Sequence, residues 1–204
     1  MWRAGHLAPW LAVAIACAPQ GREPELSRYL NRLGGELAKH AGGRQVQYRF
    51  TVASEGKPGY AEEEPVAGAD GAVLVPLKLV REARTETELA GLLAHAIAHV
   101  ALGHASRMAD RAAPSALALA RSLEIEADLE AVRIMAEAGY DPASLPGLIA
   151  RLPPYRSGGQ PKGLSPYPHL MDRVWALERK IHSLPPRDYR LPNKQFERIK
   201  SLLR

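Results

Sequence analysis

Residues 88–105 read ELAGLLAHAIAHVALGHA. From Leu89 to Gly103 every residue is apolar or small except His95 and His99. A helix of that composition has no polar face to offer water, so the pattern predicts one buried nearly all round. Two histidines four residues apart share one face of it, one turn above the other. Buried imidazoles need hydrogen-bond or metal partners, and such a pair can aim two nitrogens at one ion. Taken alone, the pair also fits two core histidines satisfied separately by backbone carbonyls.

The next long stretch shifts that balance. Residues 115–139 predict a second helix, with Pro114 near its start, Gly139 as its C-cap and Asp141-Pro142 beyond. Its apolar face runs through Leu117, Ala120, Ala127, Ala131, Ile134, Met135 and Ala138, and Glu124 and Asp128 fall in the middle of it. Glu126, Glu130, Arg133 and Glu137 share the opposite, solvated face. Buried carboxylates are rare unless paired or bound to metal. Two histidines on one buried helix and two acids on the next satisfy each other, with His95, His99 and Glu124 as metal ligands and Asp128 orienting a ligand from behind. Two histidines and one carboxylate leave a fourth position open, the arrangement of a catalytic zinc site rather than a structural one.

Around this pair the chain reads as a helix-dominated α+β domain with a small early sheet. Residues 25–40 space Leu26, Leu30, Leu33 and Leu37 as an amphipathic helix, weakened by Gly34-Gly35. In VQYRFTV (46–52), Val46, Tyr48, Phe50 and Val52 alternate as in a half-buried strand. A Gly/Pro/Glu-rich stretch over 54–70 leads to AVLVP (72–76), a short strand that Pro76 stops or keeps at a sheet edge. Thr85 and Glu88 have capping-box spacing and open the histidine helix, which is expected to run to about Arg107. Residues 152–168 are too rich in Pro and Gly for regular structure, and two short helices near 169–183 and 193–203 finish the chain.

The 204 residues suit one domain with a sizeable core, placed at 25–204. At 46% hydrophobic and 24% charged, the composition excludes a mainly disordered chain. The net charge of +5 is scattered, and its tightest group (Arg187, Arg190, Lys194, Arg198, Lys200, Arg204) reads as a solvated face. No nucleic-acid motif accompanies it, so no nucleic-acid partner is expected. Arg3, the ten-residue apolar run LAPWLAVAIA (7–16) and the small-x-small Ala14-Ile15-Ala16 read as a signal peptide over residues 1–16. Cys17, the only cysteine, excludes an intramolecular disulfide. The run AIAC resembles a bacterial lipobox, which would lipidate Cys17, make 17–24 a tether and anchor a periplasmic protein to a membrane.

ELAGLLAHAIAHVALGHA, EIEADLEAVRIMAEAGYDP (124–142), SPYPHLMDRV (165–174) and FERIKSLLR (196–204) together resemble the HtpX/CAAX-protease type of gluzincin zinc metallopeptidase, peptidase family M48. The likeness is to its small periplasmic lipoprotein members. It implies a gluzincin-like fold, one zinc ion on His95, His99 and Glu124, Asp128 as the orienting acid, and polypeptide as the substrate, with Glu126 at a non-ligand position. It also implies substrate binding by strand addition at the edge strand 72–76.

Two departures from the family pattern bear on chemistry. The family has HExxH, whereas this chain has HAIAH, with Ala96 where the general-base glutamate belongs. The family's loop has His-Pro followed by an arginine. Here Tyr167-Pro168 takes that place with Arg173 in register, and Tyr167 can still donate a hydrogen bond to a developing oxyanion. His169 is out of register. His104 lies about 140° round a continuous helix from His99, which predicts a helix-end or surface histidine. Trp175, Leu177 and Ile181 read as core. Hydrolysis is therefore expected to be impaired, or replaced by polypeptide binding of an adaptor or chaperone kind.

Overall fold

The structure is a computed structural model that describes residues 23–43, 46–53, 65–109, 113–152, 168–191 and 193–203. The signal-peptide segment, Cys17, nearly all of the 152–168 loop and Tyr167 lie outside them.

Helix α1 (Glu23–Ala38) buries Leu26, Leu30, Leu33 and Leu37 along one face. It runs unbroken through Gly34, and the reason is packing. A Cβ there would sit 2.3 Å from the Phe50 ring, so the missing side chain lets the helix lie directly on strand β1 (Arg49–Ala53). Strands β2 (Val66–Ala67) and β3 (Ala72–Pro76) complete a sheet of order β1-β3-β2. β1 runs parallel to β3 from Arg49↔Ala72 to Ala53↔Pro76, and β2 is antiparallel, with Val66↔Leu74 and Ala67↔Val73. This corrects the placement of 72–76 at an edge. β3 is the central strand, and Pro76 is tolerated because it ends the strand and immediately precedes α2 (Leu77–Glu82).

Helix α3 (Glu86–Ala101) starts where Thr85 Oγ1 accepts the Glu88 amide at 3.2 Å. The Glu88 carboxylate reaches back one residue further than a capping box requires, to the Arg84 amide at 2.8 Å. The helix stops earlier than its sequence pattern suggests. Gly103 takes φ +65, which bends the chain into a separate short helix, α4 (His104–Ala109). Helix α5 (Ala113–Glu137) packs along α3 and ends as expected at Gly139, with Gly139 N–H on Ala136 O and Tyr140 N–H on Met135 O.

Helix α6 (Ser144–Arg151) was hidden by Pro146 and Gly147. Pro146 falls in the first turn, where a missing N–H costs nothing, and Leu145, Leu148 and Ile149 bury against the core. Helices α7 (Leu170–His182) and α8 (Lys194–Leu202) close the fold. The basic C-terminal group is more than a solvated face. Lys200 donates to the carbonyls of Val80, Arg81 and Ala83 at the end of α2, Arg187 donates to Ala136 O at the end of α5, and Arg190 pairs with Glu36 of α1. One contiguous core joins α1, the sheet, α3, α5, α6, α7 and α8. The result is the helix-dominated α+β architecture expected. No helix among the described residues is long and apolar enough to cross a membrane.

Candidate metal centre

The packing of α3 on α5 turns the two histidines of one helix toward the acids of the other. His95 Nε2 and His99 Nε2 lie 3.0 Å apart. Glu124 Oε2 is 3.5 Å from His95 Nε2, and its Oε1 is 3.5 Å from His99 Nε2. One ligand atom from each of the three residues falls within 4.8 Å of the others, so the group could hold a single metal ion. His99 and Glu124 are buried, and His95 is slightly open to solvent.

Asp128 sits one turn beyond Glu124, with Oδ1 3.1 Å from His95 Nδ1, off the ideal hydrogen-bond direction. It is held by Arg173 of α7, which forks onto both carboxylate oxygens. The guanidinium also lies 3.6 Å from Glu124 Oε2. Burial alone would push both carboxylates up. For Glu124 the neighbouring His99, His95 and Arg173 outweigh it and hold the acid down at about 2. For Asp128 it is Arg173 and His95 that win. Burial would likewise lower His95, but Asp128 and Glu124 raise it to about 9, whereas burial keeps His99 at about 3.

The donor set fits a divalent cation. Glu124 is ionised, its Oε2 is buried without a hydrogen-bond partner, and two imidazole nitrogens face the same point. An ionised buried oxygen that makes no hydrogen bond is costly, and a cation at the point the imidazoles face would complete it.

Comparison with known proteins agrees with this geometry. The model of Peptidase family M48 matches residues 24–112, which carry both histidines. Over that stretch the chain is similar to the family. It is 25% identical over 171 residues to the beta-barrel assembly-enhancing protease of Escherichia coli K12, covering 66% of this chain and 34% of that one. It is 24% identical over 173 residues to the protein of the same name from Yersinia pestis, covering 67% and 35%. The chain thus spans about a third of the length of these relatives.

The other candidate residues sort clearly by their surroundings. Ala96 is buried beside His95 and offers no proton acceptor. Glu88 is tied to Arg84 N–H and Arg151, and Glu126 lies at the surface in a two-pronged pair with Arg107 at 2.5 and 3.0 Å. His169 caps α7, where its Nδ1 accepts the Met171 amide. Leu177 is core, Ile181 only partly buried, and Trp175, expected inside, is 57% exposed. The larger correction is His104. It is fully buried, with Nδ1 3.0 Å from His99 Nδ1, because the break at Gly103 undoes the helical extrapolation that sent it away.

Proposed function

We propose that this M48 protein is a zinc-retaining, polypeptide-binding protein whose peptide-bond hydrolysis is impaired at Ala96. The observation that carries the reading is the coexistence of an assembled His95–His99–Glu124 group with an alanine at the neighbouring position. Zinc, when bound, supplies Lewis-acid polarisation of a peptide carbonyl and acidifies water. His95, His99 and Glu124 would hold it, and Asp128, clamped by Arg173, would fix the His95 ring. What the chain lacks is a carboxylate to take a proton from water and deliver it to the leaving amine. Such general acid–base help is worth about 10²–10⁴ in rate. Neither Glu88 nor Glu126 replaces it, since each is committed to an arginine elsewhere.

Strand addition cannot use 72–76, because β3 has a neighbour on each side. The outer edge of β2 takes over that role. Ala67, Gly68 and Ala69 run beside His99 and Val100, so an extended segment added there would pass the metal ligands. The relatives' name, with its reference to β-barrel assembly, supports envelope polypeptides presented as extended strands as the clients. The segment 7–16 and Cys17 support a periplasmic, lipid-anchored location.

The test loads the protein with zinc and adds fluorescently labelled casein. About one zinc per chain and retained but intact casein are expected, with Glu124→Gln losing zinc and Glu126→Gln keeping it. Rapid, chelator-sensitive fragmentation of the casein by the chain as it stands would overturn the proposal.

A further inference from the structure

The two candidate ligand histidines are supported from behind in different ways. His95 turns Nδ1 toward the carboxylate of Asp128, whereas His99 turns Nδ1 toward another imidazole, that of His104. The rings of His99 and His104 meet edge-on, with centroids 4.8 Å apart at 89°. His104 is completely buried, and it follows directly on Gly103, whose left-handed φ of +65 sets its direction. On an unbroken helix the same residue would point away from His99 by about 140°.

We propose that His104 is a positioning residue for the metal centre, whose Nδ1 accepts the Nδ1–H of His99 and so fixes the ring that turns His99 Nε2 toward His95 and Glu124. The assignment follows from counting donors and acceptors. His99 Nε2 faces His95 Nε2 at 3.0 Å and Glu124 Oε1 at 3.5 Å, so it is the metal-facing nitrogen. Coordination needs a lone pair there, which puts the ring proton of neutral His99 on Nδ1. A hydrogen bond between two Nδ1 atoms needs one donor and one acceptor, so His104 must offer a lone pair at Nδ1 and carry its own proton on Nε2. That Nε2 is buried with no hydrogen-bond partner and lies 3.6 Å from the Glu126 carboxylate, which Arg107 holds in place. The line therefore runs from the metal side through His99 and His104 to a surface ion pair. Glu126 gains a role here that its solvated face conceals: it faces the proton on His104 rather than the ion.

The inference rests on the metal-centre reading above, and the experiment separates the two. Zinc affinity is measured at pH 7.5 by competition with a chromophoric chelator for the parent chain, Glu124→Gln, His104→Leu and His104→Asn. Leucine keeps bulk and removes the acceptor, and asparagine restores an acceptor near the Nδ1 position. Zinc should bind about 10- to 100-fold more weakly to His104→Leu, with most of the loss recovered in His104→Asn. A parent chain that takes up no zinc, or loses none in Glu124→Gln, sinks the metal-centre reading. A parent that binds zinc while folded His104→Leu matches it within about threefold overturns the role of His104 alone. A second measurement does not depend on a folded variant. Nitrogen-15 long-range correlation spectra of the metal-free parent should show His99 protonated at Nδ1 and His104 at Nε2. A proton on Nδ1 of His104 would overturn the proposal.

Discussion

Arg173 reaches from α7 to place Nε 2.6 Å from Asp128 Oδ2 and Nη2 2.7 Å from Oδ1, with both side chains 1% exposed. This fork links three helices, since Asp128 on α5 also touches His95 on α3. A bidentate guanidinium supplies geometry as well as charge, which a lysine ammonium cannot reproduce. Removing it strands a buried carboxylate, at a cost of about 3–5 kcal/mol. Arg173→Met should therefore lower the denaturation midpoint of the metal-free protein sharply, and Arg173→Lys should recover only part of the loss. An unchanged midpoint for the methionine variant would mean the pair contributes nothing to the fold.

Metal uptake should release a proton. Although burial works against it, contact with Asp128 and Glu124 raises His95 to about 9, so the ring is cationic at neutral pH in the metal-free protein. A metal ligand must be neutral, so binding has to expel that proton. With the pKa raised, apparent affinity should climb by about tenfold per pH unit from pH 7 and level off near 9. Calorimetry of zinc binding in buffers of different ionisation enthalpy, at pH 7.5, should report about one proton released per ion. An enthalpy independent of buffer would show that His95 is neutral before the metal arrives.

At the other end of α3, Glu86 is buried against Tyr29, whose hydroxyl donates to it at 3.1 Å. Burial pushes the Glu86 carboxyl above its ordinary 4.5, against the pull of Tyr29 and Arg32. A carboxyl raised on folding binds its proton more tightly in the native state. Its contribution is full at low pH and is lost as pH rises through the raised native value. Glu86→Gln should thus gain stability relative to the parent between pH 5 and 8, read from paired urea unfolding midpoints. A gap that narrows over that range would contradict the burial argument.

Much of this site is legible in the sequence because its signals are local. His95 and His99 share a face by simple helical spacing, and Glu124 and Asp128 interrupt an apolar stripe where solvent cannot explain them. What escapes is set by single backbone events and by distant packing. His104 is misjudged because extrapolation assumes an unbroken helix, although the Leu102-Gly103 step is a recognisable helix ending. β3 is misplaced because Pro76 reads as an edge signal, whereas its position as the last residue of the strand frees it from that rule. Helix α6 hides behind Pro146 and Gly147, since only burial of Leu145, Leu148 and Ile149 reveals why it forms. Trp175 stays largely exposed because it lies about 160° round α7 from both Arg173 and Leu177, whose side chains mark the buried face.

Ala96 follows His95 directly and is 60° round α3 from His99 by helical geometry, so a glutamate placed there stands next to both nitrogen ligands. Its carboxylate would act on water rather than on the ion, so zinc content should not change. Ala96→Glu should raise casein cleavage by about 10²-fold or more, the usual size of a general-base contribution. Because Ala96 is buried, the larger side chain must either reach toward the ligand nitrogens or disturb the core. A denaturation midpoint measured in parallel separates those outcomes. A gain abolished by a chelator, with zinc content and midpoint preserved, would show a site lacking one proton acceptor and nothing else. No gain from a folded, zinc-loaded Ala96→Glu protein would place a second lesion elsewhere, with Tyr167 the first residue to change to histidine. The order of those two substitutions then matters. If Tyr167→His restores cleavage only in the Ala96→Glu background, general base and oxyanion donor were lost as a working pair, and polypeptide binding is what the site still performs.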